Sequence, residues 1–203
     1  MIKAIIFDSD GMLAHGPRFS DTYAKEFEIP IEEMIPFFTG PFQECVIGKA
    51  DLKQELQKGW IERWKWTKSA DDLLKYWFEV GDVLDHEVFG TVGKLRAKGI
   101  PCVLATNQER YRSEYLSEKF EYNDVFDRVF SSSAVGHKKP SPEFFEIIFS
   151  YLRERDSTIQ KPDVLFWDDD MENVDGARAV GFEARQFIDA RGYIEEMQHL
   201  ELL

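Results

Sequence analysis

Residues 2–7 (IKAIIF) make an almost continuous apolar run that stops at Asp8-Ser9-Asp10-Gly11. A run this short, without polar alternation, suits a strand buried on both faces, and such strands belong to parallel sheets covered by helices on each side. Comparable runs recur at 101–105 (PCVLA), 128–131 (RVFS) and 163–167 (DVLFW), with a weaker one at 182–187 (FEARQF). Helical patterns lie between them. Residues 85–98 lead to Gly99, a C-terminal stop, and residues 171–180 lead to Gly181 in the same way. Ser141-Pro142-Glu143 offers an N-cap with Pro at the first helical position, opening a helix toward residue 153. Strands alternating with helices predict an α/β chain built on a parallel sheet.

The stretch from 15 to 84 breaks this rhythm. Phe19, Tyr23 and Phe27, then Trp60 and Trp64, then Leu73, Leu74 and Trp77 recur at helical spacing. It reads as a helical cap, 15–84, inserted in a core formed by 1–14 and 85–203. The aromatics are expected to pack against one another inside that insertion. With 203 residues the chain is long enough to bury a substantial core without a disulfide or metal staple. Its two cysteines, Cys45 and Cys102, form neither a disulfide framework nor a metal-ligand spacing, and Cys102 falls in a predicted core strand. The formal net charge of −13 argues against nucleic acid as a partner. It leaves room for an anionic small substrate wherever a metal or a lysine reverses the local field. No apolar run approaches the roughly 20 residues of a membrane span, so no membrane partner is expected. The opening residues show no signal-peptide pattern, and the cytoplasm is the default location.

In a parallel α/β sheet, ligands bind at the carboxyl ends of the strands. There the sequence places Asp8-Ser9-Asp10-Gly11, Thr106-Asn107, Lys138-Lys139-Pro140 after a Ser-rich loop, and Asp168-Asp169-Asp170. Each alone has a structural explanation: an Asx turn, a helix N-cap, solvated surface and an acidic helix start. Their convergence on one sheet edge has a chemical one. Carboxylates crowded into one crevice repel unless a cation neutralises them. A hard ion such as Mg²⁺ takes one to three and completes its octahedron with water and substrate phosphate. A Thr hydroxyl, backbone N–H groups and one Lys would hold the remaining phosphoryl oxygens, which is the equipment for phosphoryl transfer.

The segments FDSDG, LATN, GHKKPSPEFF and LFWDDDMENVDGARAVG, in that order, resemble the four motifs of the haloacid dehalogenase superfamily. The chain is most similar to its phosphatase-like branch, with a helical cap between the first two motifs, and the resemblance spans nearly the whole sequence. It implies a Rossmann-like core, Mg²⁺ as cofactor and hydrolysis of a small phosphomonoester through an aspartyl-phosphate. It also implies roles for individual residues. Asp8 is the nucleophile. Asp10 is the general acid–base, protonating the leaving oxygen and then taking a proton from water. Thr106 binds the transferring phosphoryl group with Asn107 beside it, and Lys139, directly before Pro140, is the motif lysine, leaving Lys138 to solvent. Asp169 is the principal metal carboxylate, with Asp168 a neighbouring ligand or its partner. Asp8 and the backbone carbonyl of Asp10 complete the protein's share of the metal shell. Asn173 stands where the motif often carries an acid, Asp170 is expected to cap the following helix, and Met12 replaces the usual Thr after Asp-x-Asp-Gly.

A dehalogenase of this superfamily usually lacks the second acid, so Asp10 argues against that activity. A phosphomutase or phosphotransferase would use the same residues while keeping water away. That reading stays open, as does a scaffold that keeps the fold without the chemistry. A receiver-type signalling domain collects similar groups in a different order and lacks such an insertion. The partner implied is a small phosphorylated metabolite, and both a monomer and a homodimer remain compatible with the sequence. A cap hinged near 13–17 and 80–86, with Gly11, Gly16 and Gly81 supplying backbone freedom, would close over the crevice. Within it, residues 40–51 (GPFQECVIGKAD) lack helical regularity, and Phe42, Gln43 and Lys49 are candidates for substrate contact. His15, His86, His137 and His199 are scattered without metal spacing.

Overall fold

Every residue of Ala4–Phe7 (β1) is buried, because this strand lies in the middle of the sheet with helices on both faces. The computed structural model describes residues 1–80 and 82–203, so the expected hinge residue Gly81 lies outside the described residues. After β1 comes a short strand, Ala14–His15 (β2), and then the insertion. Its helices are Phe19–Glu26 (α1), Ile35–Thr39 (α2), Pro41–Val46 (α3), Leu52–Leu56 (α4), Trp60–Arg63 (α5) and Ala70–Glu79 (α6). The chain returns through Val83–Leu84 (β3), which pairs antiparallel with β2 as a two-stranded stalk. Core elements then alternate: His86–Ala97 (α7), Cys102–Thr106 (β4), Arg110–Lys119 (α8), Tyr122–Val125 (α9), Arg128–Ser131 (β5), Ser132–Val135 (α10) and Pro142–Arg155 (α11). Val164–Asp168 (β6), Met171–Ala179 (α12), Glu183–Gln186 (β7) and Ala190–His199 (α13) complete the chain.

The five parallel strands lie in the order β5-β4-β1-β6-β7. The chain fills one side of β1 with β4 and β5, then crosses to β6 and β7, and the reversal leaves a crevice at the carboxyl edge. Register aligns the strand ends there, with Phe7 opposite both Leu104 and Trp167. Successive side chains of a strand point to opposite faces. Ile5, Phe7 and Leu104 accordingly join one apolar layer with Val92 and Leu95 of α7, while Ile6, Val103 and Phe166 join another with Phe145 and Ile148 of α11. Two buried faces are why the strands read as continuous apolar runs.

The elements follow the sequence with three corrections. Asp85 caps α7 by accepting the N–H groups of Glu87 and Val88 at 3.0 Å each, and Gly99 ends the turn at φ 79°. Ser141 occupies the N-cap position of α11 ahead of Pro142, but its hydroxyl makes no capping bond; only the backbone role of the motif is used. The segment 40–51 is not irregular, because Pro41–Val46 forms α3 with Pro at its first turn. One and a half turns are too short to display a period. The strand expected at 101–105 runs from Cys102 to Thr106. Pro101 has no N–H for the ladder, and only its carbonyl takes part, accepting from Ile5 at 2.9 Å.

The insertion has its own apolar cluster, in which Tyr23, Phe37, Trp64 and Leu73 are fully buried. The Tyr23 hydroxyl donates to the Trp64 carbonyl at 2.9 Å, satisfying the one polar atom that ring carries inward. The cap aromatics therefore pack as their spacing predicts. Among the described residues no helix is long and apolar enough to cross a membrane.

Candidate active site

Lys139 is 2% exposed, and a lysine is enclosed this fully only when its charge is matched. Its ammonium donates to Asp8 Oδ1 at 2.5 Å and to Asp168 Oδ2 at 2.6 Å, bridging the ends of β1 and β6. Burial by itself would lower the pKa of this lysine, but the two flanking carboxylates outweigh it and hold the ammonium above its ordinary value. Burial pushes the Asp8 carboxyl upward, and Lys139 opposes that shift. The backbone of Lys139 is gripped in turn. Asn107 accepts its N–H through Oδ1 and donates Nδ2 to its carbonyl, both at 2.9 Å. Asn107 thus lies beside Thr106 as expected, with its amide spent on holding the lysine loop.

Asp168 ends β6 fully buried. Its Oδ1 accepts the Asp170 N–H at 2.9 Å, and Asn173 donates to both of its oxygens at 3.1 and 3.2 Å. Asn173, which stands where the motif often carries an acid, is therefore an amide that orients an acid. Asp170 caps α12 by accepting the Glu172 N–H at 2.9 Å. Asp169 is exposed and leans over Gly11, where φ is 82° and a β-carbon would collide with the Asp169 carboxylate. The left-handed backbone at Gly11 favours glycine there.

Carboxylate oxygens of Asp8, Asp168 and Asp169 lie within 4.8 Å of one another. Facing them is the single Lys139 ammonium, so an excess of negative charge remains at the strand ends. Burial and the neighbouring Asp168 also raise the Asp169 carboxyl. Hard oxygen donors with uncompensated charge fit a divalent ion such as Mg²⁺.

Asp10 is held by two residues that sequence reasoning missed. Gln108 donates to its Oδ2, and Arg112 Nη2 donates to its Oδ1 at 3.0 Å. Arg112 also forks onto Asp82 at 2.8 and 3.1 Å. Their only sequence signal was position, immediately after Thr106-Asn107 at the start of α8. Met12 is fully buried in the core, away from any polar role.

Two cavities meet here. One of about 260 Å³ is lined by Asp8, Asp10, Thr106, Lys139, Asp169 and Asn173, among others. A larger one of about 740 Å³ opens from it between core and cap and is bordered by Phe42. Gln43 does not line either. Its Nε2 donates to the Phe38 carbonyl at 2.6 Å, and its Oε1 accepts Lys138 Nζ at 2.5 Å. Lys138, expected in solvent, is thereby half-buried as a bridge from core to cap. Lys49 lines a separate cavity of about 710 Å³ with Asp51, Glu109 and Arg110, because the chain turns at Gly48 before reaching it.

A family model described as haloacid dehalogenase-like hydrolase matches residues 2–181. The chain is 34% identical to D-ribitol-5-phosphate phosphatase of Bacteroides thetaiotaomicron, over 92% of each protein. It is 24% identical to phosphoglycolate phosphatase of Shigella boydii, over 89% of this chain and 79% of that one. Among solved structures, a predicted HAD-like family hydrolase from Porphyromonas gingivalis superposes with a TM-score of 0.80 at 22% identity, covering 99% of this chain and 98% of the other. A HAD family enzyme of Bacteroides thetaiotaomicron, solved in complex with magnesium and inorganic phosphate, gives a TM-score of 0.74 at 22% identity over 92% and 94%. With the four motif segments gathered at one sheet edge beneath a helical cap, the chain belongs to the haloacid dehalogenase-like hydrolases.

Proposed function

We propose that this hydrolase is a Mg²⁺-dependent phosphatase that cleaves a small phosphomonoester through an aspartyl-phosphate on Asp8. The observation that carries the reading is the buried Asp8–Lys139–Asp168 bridge, with Asp169 and Asp10 at its open side. The relatives named as phosphatases of ribitol 5-phosphate and phosphoglycolate support the same reaction class.

Asp8 and Asp169, with the backbone carbonyl of Asp10, would hold the metal, and Asp168 stands beside them with its oxygens already shared by Lys139 and Asn173. When bound, Mg²⁺ supplies neutralising charge for the carboxylates and the phosphoryl oxygens. Thr106 and Lys139 face the phosphoryl group from the other side of the smaller cavity. An Asp8 carboxylate oxygen attacks phosphorus, the bond to the leaving oxygen breaks, and Asp10 gives that oxygen its proton. Asp10 then takes a proton from water as the water oxygen attacks phosphorus. The bond to Asp8 breaks, releasing phosphate and restoring both carboxyl groups. Two buried free thiols, Cys45 and Cys102, suit a reducing compartment such as the cytoplasm.

The test is phosphate release from a panel of phosphomonoesters with and without Mg²⁺. Asp8→Asn is expected to abolish Mg²⁺-dependent turnover by a thousandfold or more, on the order seen when a covalent nucleophile is removed. Turnover surviving that substitution would overturn the reading. Stable ³²P-labelling of Asp8 without release of phosphate would replace hydrolysis with phosphoryl transfer to another acceptor.

A further inference from the structure

We infer that the alcohol released from the phosphoester is apolar, an alkyl or aryl-bearing alcohol rather than a polyol, held against the inner wall of the cap. The inference rests on the phosphatase reading above. The smaller cavity, which fits a phosphoryl group, shares Asp10, Gly11, Asn107 and Gln108 with the larger cavity of about 740 Å³. Asp10 is the acid that meets the leaving oxygen, and it lies on that border. With phosphorus beside Asp8, the rest of the substrate extends into the larger space.

An apolar band makes up much of the cap side of this space. Ile31, Ile35, Phe38, Phe42 and Trp77 face it, and Ile35 is 48% exposed there. The two hydroxyls beside this band are already engaged. The Thr39 hydroxyl donates to the Ile35 carbonyl at 2.9 Å and the Ser20 hydroxyl to Asp21 at 3.4 Å. On the core side, Gln108 and Arg112 hold Asp10, and Asn107 holds the backbone of Lys139. Arg18 and Asp21, both exposed, are the charges on the cap side, and the exposed His15 borders the space from β2, 3.8 Å from Asp85.

The rings do not form an open platform for stacking a sugar. Trp77 is stacked on Phe19 at 4.4 Å and meets Phe38 and Phe42 at 5.5 Å, while Phe38 is stacked on Trp64 at 5.9 Å. A hydroxyl placed on such a wall gives up water without gaining a partner, a loss of roughly tenfold in affinity for each one stranded. A methylene buried there gains roughly fourfold.

The experiment measures kcat/KM of the intact wild-type chain with Mg²⁺ on four esters of primary alcohols: n-hexyl phosphate, benzyl phosphate, sn-glycerol 3-phosphate and ribitol 5-phosphate. Acetyl phosphate, which has no alcohol to place, reports the phosphoryl chemistry alone. Both apolar esters are expected to exceed both polyol esters by tenfold or more, carried by KM. Ile35→Asn and Phe38→Asn are each expected to narrow the hexyl-to-glycerol ratio by at least threefold. Turnover of acetyl phosphate with polyol esters equal to or better than apolar ones overturns the inference and leaves the phosphatase reading standing. An apolar preference that neither substitution narrows overturns it too, because the wall would not be its source. No turnover of any compound, acetyl phosphate included, removes the phosphatase reading on which the inference rests.

Discussion

Arg112 holds two carboxylates that sequence separation would never pair. Its guanidinium, 14% exposed, places one fork on Asp82, just before β3, and one donor on Asp10. A planar group with fixed donors holds both acids at once, whereas a lysine ammonium offers a single point charge. Arg112→Lys is therefore expected to let Asp10 wander. Because proton donation matters most when the leaving oxygen is basic, kcat on an alkyl phosphate should fall roughly 10- to 100-fold. Turnover of p-nitrophenyl phosphate, whose leaving group needs little protonation, should fall much less. Comparing kcat for the two substrates checks this, and equal losses would assign Arg112 a purely structural part.

At the scale of elements, the cap is tied to the core at several points away from the stalk. Ser132 donates to the Val46 carbonyl at 2.6 Å, and Tyr111 and Arg110 donate to Asp51 at 2.7 and 2.9 Å. Lys138 reaches Gln43, as described above. Gly48 sits among these contacts at φ 71°, and a β-carbon there would run into the Ser133 carbonyl. The close approach of α3 to α10 thus depends on a residue without a side chain. Gly48→Ala is expected to lift this edge, at a cost of about 1–3 kcal/mol from the left-handed backbone and the clash. Amide hydrogen exchange over residues 44–52 should speed up while exchange in β1 and β4 does not. Unchanged exchange in that segment would show that the contact does not hold the cap down.

For the whole molecule, a buried acid outside the strand-end cluster adds to the dependence of stability on pH. Glu109 is 2% exposed and accepts the N–H groups of Tyr111 and Arg112, yet burial outweighs those bonds and raises its carboxyl to about 7 from an unfolded value of 4.5. Between those values the folded chain binds more protons than the unfolded one, so rising pH favours unfolding. The stability tied to this group is complete below about pH 4.5 and is lost as pH climbs to about 7, on the order of 3 kcal/mol at about 1.4 kcal/mol per unit. Thermal unfolding of the wild type from pH 5 to pH 8 should show a falling midpoint, and Glu109→Gln should flatten that fall. Parallel slopes for the two proteins would assign the dependence to other groups.

The sequence by itself determined the alternation of strand and helix, the cap, and Asp8, Asp10, Thr106, Lys139 and Asp169 as residues at the sheet edge. These are legible because the information is local. A strand buried on both faces must be apolar throughout, and a parallel sheet delivers whatever follows each strand to the same edge. The helix carrying Arg112 was not legible. The sequence of α8, RYRSEYLSEK, buries only Leu116, so no apolar stripe marks it. What Arg112 does depends on Asp10 and Asp82, which lie 102 and 30 positions away. Only the tertiary structure decided that Asn173 orients Asp168, that Gln43 is spent on Lys138, that Lys49 borders another cavity, and that an apolar band of the cap shares a cavity with Asp10. Each depends on which way a side chain points after distant segments pack, and neighbouring residues in the chain do not specify that direction.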